Sequence, residues 1–382
     1  MKRVWMLLLL MACMASGGQA QMRVFVARDA MDEGAARQLI GLLADAFPQE
    51  TWLLEMEEKE SLEALIMQDR APQLALCMAQ DAMPWAREGM LLPLALEGQE
   101  AVQEEVLSCC RLDEELYMVP VCAYHRVMAV NCEMLEKKRL GYLLNGTEHP
   151  VWYATQFYQV MEEFMLDGET AFEIWPPDAE SSAGIEALVQ VIGGGALMSG
   201  DDQTAQADSE EILAGVRWLS DMVRSGMAGY APSREKALGR FLEGETAVFI
   251  DWTPDMQRMY AERIRESGME LAIVPYPSSI GETTRVFSLA GAAAFDSGDE
   301  DRNALALRAA AFLGEDERAA AIAGGRKTGR DDAAWLPDME NFEGGATMRA
   351  LFARVLRAVL EEGADAEAAL SLAQTAMEAA GW

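Results

Sequence analysis

The sequence predicts an α/β protein of two domains. Three observations carry that reading. Short β-branched runs alternate with stretches whose apolar residues recur every three to four positions. A length of 382 residues fits two domains at roughly 150 residues each. Apolar residues at 51% and charged residues at 25% are an ordinary composition for a chain that builds a core.

The elements follow in order. Met22–Ala27 (MRVFVA) is a strand of β-branched and aromatic residues. In 32–47, Ala36, Leu39, Ile40, Leu43 and Phe47 share one helical face, and Pro48 ends the helix. Residues 51–56 form a second strand, 61–68 a short helix and 73–77 (QLALC) a third strand. Such alternation makes a mainly parallel sheet. A short helix at 82–88 and the apolar stretch 90–94 close this part. Residues 117–130 are a strand-rich crossing segment. Helices follow at 150–165 and 183–191, with an irregular stretch around Trp175-Pro176-Pro177 between them and a glycine loop at 193–195. Ile212, Val216, Leu219 and Val223 mark one face of a helix at 209–225. A short helix at 236–242 precedes strands at 245–250 and 270–274, the latter broken by Pro275 and Pro277. Residues 287–295 return to β, and Ala- and Leu-rich helices occupy 301–323, 346–362 and 365–380.

Charge and motif content exclude several function classes. The formal charge of −32 repels phosphate backbones and anionic membrane surfaces, so neither nucleic acid nor such a membrane is an expected partner. It also disfavours anionic ligands. Only two histidines, His125 and His149, are present, so no multi-histidine metal centre is available. No HExxH, GxSxG, GxxxxGK[ST] or CxxC string occurs, and no cofactor is expected.

Residues 1–20 have the layout of a signal peptide: Lys2 and Arg3, an apolar run of twelve from Val4 to Ala15, then Gly18-Gln19-Ala20. Cleavage after Ala20 takes the formal charge to −34, because Lys2 and Arg3 are lost. Leu10-Met11-Ala12-Cys13 offers a second processing site, at which Cys13 would be lipidated. Either route places the mature chain outside the cytoplasm, secreted or lipid-anchored. Its five cysteines are an odd number, and a core this large is expected to stand without a disulfide.

Seven segments in series resemble one family. They are ADAFP (44–48), APQLAL (71–76), WAREGMLLPL (85–94), DEELYMVP (113–120) with Val130-Asn131 after it, FLEGETAV (241–248), AIVPYP (272–277) and ADAEAALSLAQ (364–374). In this order and spacing the mature chain resembles the extracellular solute-binding proteins of bacterial ABC importers, the family that includes maltose-binding protein. Gln73 and Glu114 depart from that pattern, standing where the family has Asp and Gly.

The resemblance implies a two-lobed periplasmic-binding-protein-like fold of type II, with a ligand cleft between the lobes and three crossings near 123–126, 274–277 and 313–316. The first lobe would hold 21–123 and 278–312, and the second 127–273 and 316–382. The expected partners are a small solute, a sugar or oligosaccharide, and the permease subunits of an importer; the protein itself would be a monomer that catalyses nothing.

Candidate cleft residues follow from polar or aromatic character at strand ends. Asp29 leaves the first strand at its carboxyl end, and Gln80 and Asp81 leave the third; Asp81 could instead cap the next helix. Tyr124 and His125 lie at the first crossing. Trp175 and Trp252 sit beside prolines and the acids Glu173 and Asp251, an arrangement suited to stacking sugar rings and binding their hydroxyls. Trp252 is the expected stacking platform. Trp52, Trp152 and Trp218 are assigned to the core. Arg349, with Met348 and Phe352, lies on the helix to which the family often adds a ligand contact.

Two other readings remain open at this stage. One is a sensor subunit that presents its ligand to a membrane receptor. The other is an exported glycosidase with a carboxylate pair, Asp29 with Asp81 or Glu173 with Asp251.

Overall fold

A computed structural model describes residues 21–68, 70–97, 102–144, 151–179, 181–199, 204–278, 284–324 and 333–382. The leader and Cys13 lie outside the described residues. Two separate sheets organise the chain, each with its own helices. No helix among the described residues is long and apolar enough to cross a membrane.

The first sheet begins with β1 (Met22–Ala27), β2 (Trp52–Glu57) and β3 (Leu74–Met78), all parallel. Val24 pairs with Leu54 on one side and Leu74 on the other, which puts β1 between its neighbours and buries it on both faces. The connecting helices form where the pattern places them. In Glu33–Ala46, Asp32 caps the start through Ala35 N–H, while Leu39, Leu42 and Leu43 pack inward. Because the three strands are parallel, their carboxyl ends share one edge, and Arg28, Asp29 and Gln80 emerge there.

A short hairpin, β4 (Arg111–Leu112) and β5 (Glu115–Leu116), turns at Asp113 and Glu114, both with positive φ. A two-residue hairpin loop favours that geometry, and the family's glycine would adopt it without steric cost. β6 (Val119–His125) belongs to the first sheet, whereas β7 (Val127–Asn131) is the central strand of the second. Arg126 alone separates them, so the first crossing is one residue long.

In the second sheet β7 lies antiparallel between β10 (Val248–Trp252) and β11 (Leu271–Val274). A small parallel pair, β8 (Glu173–Ile174) and β9 (Gly229–Tyr230), is attached through a bridge from Phe172 to Val248. Chain returns to the first sheet after β11 as β12 (Thr284–Ala294). β12 has β6 along one edge, and β3 and then β13 (Ala334–Pro337) along the other.

Two expectations are corrected here. Residues from 316 onward do not pass straight to the second lobe. The helix Glu317–Ala323 packs on Glu33–Ala46 and β6, and β13 joins β12 in the first sheet. Only the helices Gly345–Leu360 and Ala366–Ala379 pack on the second-lobe helix Glu210–Ser225. The third crossing therefore lies between Pro337 and Gly345, about twenty-five residues later than expected. β13 went unforeseen because a four-residue strand carries too little periodicity to read.

The second correction concerns 254–267, which the pattern left unassigned. It is a helix, Pro254–Ser267, capped by Thr253 with Pro254 in its first turn and Gly268 in the left-handed conformation at its end. Thr-Pro and a closing Gly are start and stop signals. Between them Met256, Met259, Tyr260 and Ile264 recur at three and four, so the segment also carries a helical period.

Candidate functional site

The cleft between the sheets is built from strand ends and crossings. Its larger cavity, about 620 Å³, takes lining from the loop after β1 (Arg28, Asp29, Asp32), from the first crossing (Tyr124, His125, Arg126) and from the second lobe (Thr253, Arg258, Met259). A smaller cavity of about 310 Å³ adjoins it, lined by Gln80, Ala346 and Arg349. Asp29, Met78 and Glu340 line both.

Asp29 is exposed at the centre of this space. Neither it nor the half-buried Gln80 has a hydrogen-bond or ion-pair partner among the described residues. Their acceptor and donor groups are available to a solute. Tyr124 is held in place: its hydroxyl lies 2.6 Å from the Ala30 carbonyl and 3.1 Å from that of Ala323. Tyr124 also lines the cavity. The His125 ring packs edge-on against Trp335, 4.9 Å between centroids, as part of the hinge. Across the cavity Arg258 reaches Asp32 at 3.4 Å, an ion pair that ties one lobe to the other.

Beneath the cleft lies a buried charge cluster that the sequence reading did not anticipate. Arg126 at the first crossing donates to Asp251 (3.1 Å), Asp338 (3.3 Å) and Glu340 (2.9 Å). Arg349 donates to Glu186 (2.9 Å), Asp338 (2.5 Å) and Glu340 (2.8 Å). Arg234 takes the other oxygen of Asp251 at 2.5 Å. Asp338 and Glu340 stand at the third crossing, and Tyr276 at the second donates its hydroxyl to the Ile250 carbonyl beside Asp251. All three crossings therefore converge on one cluster. Planar guanidinium groups suit it, since each can serve several carboxylates at once.

Burial and charge pull the acids in opposite directions. Burial opposes ionisation of Glu340, yet Arg126 and Arg349 outweigh it and hold the carboxyl down at about 2. In Glu186 burial wins: despite Arg349 and the Ser182 hydroxyl its carboxyl is pushed up to about 7.

Several expected ligand contacts are placed elsewhere. Trp252 is 1% exposed and packs among Phe241, Phe249 and Tyr260, with its Nε1 donating to Gln257 at 3.1 Å. β10 runs two residues further than read, drawing Asp251 and Trp252 into the sheet, and the helix Pro254–Ser267 covers them. Trp175 is fully buried, stacked on Phe249 at 5.7 Å, and donates to the Ser181 carbonyl. Neither indole offers a face to the cleft. Asp251 is consumed by Arg126 and Arg234, and Glu173 is buried against Arg240. Gly184 lets a helix start directly on Asp251, where a side chain would clash. Asp81 is buried in the first turn of Ala79–Arg87 and lines none of the described cavities; its side chain does not cap that helix. Arg349 does line the cleft, with its guanidinium fully engaged below it. Trp152 is buried, as expected, while Trp52 and Trp218 are partly buried against the core.

The polar and charged cleft residues not expected as ligand contacts are Asp32, Arg126, Thr253, Arg258, Ser288 and Glu340. Arg126 lies inside the expected first crossing, 123–126. The others lie far apart in the chain and meet only through the fold.

Two α/β lobes, three crossings and a polar cleft between them define the periplasmic-binding-protein fold, the fold of maltose-binding-protein-like solute-binding proteins. Solved structures agree. The chain is similar to a cyclic α-maltosyl-1,6-maltose binding protein from Arthrobacter globiformis, with a TM-score of 0.74 at 18% identity, covering 95% of this chain and 99% of that one. It is similar to the sugar-binding protein MalE from Xanthomonas citri (TM-score 0.73, 15% identity, 94% of this chain and 97% of that one). It is also similar to UgpB from Mycobacterium tuberculosis in complex with glycerophosphocholine (TM-score 0.69, 15% identity, 95% and 98%). No family model matches the chain, and no curated protein matches it.

Proposed function

We propose that this chain is the extracytoplasmic solute-binding subunit of an ABC importer. It captures a small hydroxylated solute, a sugar or oligosaccharide, between its lobes and presents the closed form to a permease. Asp29 carries the reading: a carboxylate with no partner among the described residues, just past the carboxyl end of β1, lining both cavities between the lobes. Two adjoining cavities sharing that residue suit a ligand longer than one ring. Polar contacts from Asp29 and Gln80, with the Tyr124 side chain beside them, replace the indole stacking expected from Trp252. Hinge closure fits a structure whose lobes are joined by three short crossings.

A hydrolytic role has less support. Of the two carboxylate pairs considered, Asp81 lines neither cavity of the cleft, and Glu173 and Asp251 are each bound by arginine.

A thermal-shift screen of mono- and oligosaccharides tests the proposal. A solute at 100 times its dissociation constant stabilises the folded protein by about 2.7 kcal/mol, a clear rise in melting temperature. No shift with any sugar, together with release of product from chromogenic glycosides, would refute it.

A further inference from the structure

The cleft has a charge balance that narrows its ligand. Each arginine lining it is already matched. Arg28 pairs with Glu58 at 3.5 Å, and Arg258 with Asp32 at 3.4 Å. Arg126 is surrounded by three carboxylates, and Arg349 by three. Of the acids, Glu340 and Asp32 are taken by these arginines. Asp29 is the one charged group of the cleft, among the described residues, with no counter-charge. Among the described residues the surplus charge of the cleft is therefore negative, inside a chain of formal charge −32.

Resting on the solute-capture reading above, we infer that the cleft selects a solute carrying a protonated amine, and that Asp29 is its specificity-determining carboxylate. A neutral hydroxyl can donate to Asp29, but an ammonium makes a charge-assisted bond and gains from the field of the whole chain. Tyr124 lines the same cavity, and its ring can face a cation. Among the described residues a solute anion finds no unmatched arginine there and meets the Asp29 carboxylate instead. The shared chemistry is the ammonium group, which an amino sugar or a linear polyamine can supply.

Calorimetric titration of the full mature chain with matched probes tests this. Glucosamine and glucose differ at one position, amine against hydroxyl; spermidine is the linear arm. In slightly acidic low-salt buffer, where the amine is protonated, an amine probe is expected to bind at least about tenfold tighter than glucose. Added salt should shrink that ratio, and Asp29→Asn should bring it close to one without changing the melting temperature. Glucosamine winning indicates an amino sugar, and spermidine winning indicates a polyamine. Glucose or maltose binding as tightly as either amine, or an amine preference that survives Asp29→Asn, overturns the inference and leaves solute capture standing. No binding by any probe, neutral or cationic, overturns both.

Discussion

Asp29 and Asp251 look alike in sequence and end in opposite states. Each is an acid at the end of an apolar strand, beside a residue suited to recognition: Arg28 in one case, Trp252 in the other. In the first lobe β1 stops at Ala27, and Asp29 stands exposed in the cleft with no ion pair among the described residues. In the second lobe β10 continues through Trp252, and Arg126 and Arg234 close on Asp251. A carboxylate at a strand end is available to a ligand only if the fold brings no guanidinium to it. The first lobe thus contributes open polar groups, while the second contributes a sealed aromatic core and one side of a hinge lock.

Substitutions at the two strand ends should differ accordingly. Trp252→Ala should have the largest effect, on stability: removing a fully packed indole costs about 3–5 kcal/mol, read as a lower denaturation midpoint. Solute affinity of the folded fraction should stay near wild type. An affinity loss with unchanged stability would reverse the assignment of Trp252 to the core.

Asp251→Asn should come next. It leaves Arg126 and Arg234 short of charge in a buried setting, where breaking a pair costs about 3 kcal/mol. Because Asp338 and Glu340 still hold Arg126, the expected loss is about 2 kcal/mol by urea unfolding. A loss below about 0.5 kcal/mol, the range of surface substitutions, would mean that the cluster does not hold the crossings together.

A comparable effect should appear in the pH dependence of stability. Burial raises the Glu186 carboxyl to about 7 in the folded chain, above its ordinary range near 4.5. The folded state then binds more protons between these values. The contribution of this group is full below about 4.5 and is lost as pH rises through 7, by up to about 3 kcal/mol. Glu186→Gln should flatten that part of the curve. An unchanged curve would show that Arg349 keeps Glu186 ionised throughout.

Much of the fold was legible in the sequence because it rests on periodicity. The helix Glu33–Ala46 and the strands β1 to β3 follow from local spacing and caps. Asp29 and Gln80 followed from the rule that parallel strand ends line a cleft, and Tyr124 from its place at the first crossing. What failed depended on contacts distant in sequence. Nothing near Trp252 shows that a helix will cover it, apart from Thr253-Pro254 and the helical period after it. Nothing near Asp338 or Glu340 shows that Arg126, more than two hundred positions away, will meet them. Tryptophans beside prolines read as loop platforms, yet burial of an indole gains more than its exposure in a cleft unless a ligand face holds it open.

The central claim is that a solute binds between the lobes, at the carboxyl ends of β1 and β3. Hydrogen exchange, measured with and without the solute that raises the melting temperature most, tests it directly. New protection is predicted at 28–32, 78–80 and 124–126, together with 253–259 across the cleft. Protection confined to a region remote from the cleft, such as 217–224 on the second lobe, with 28–32 exchanging as in the free protein, would contradict it.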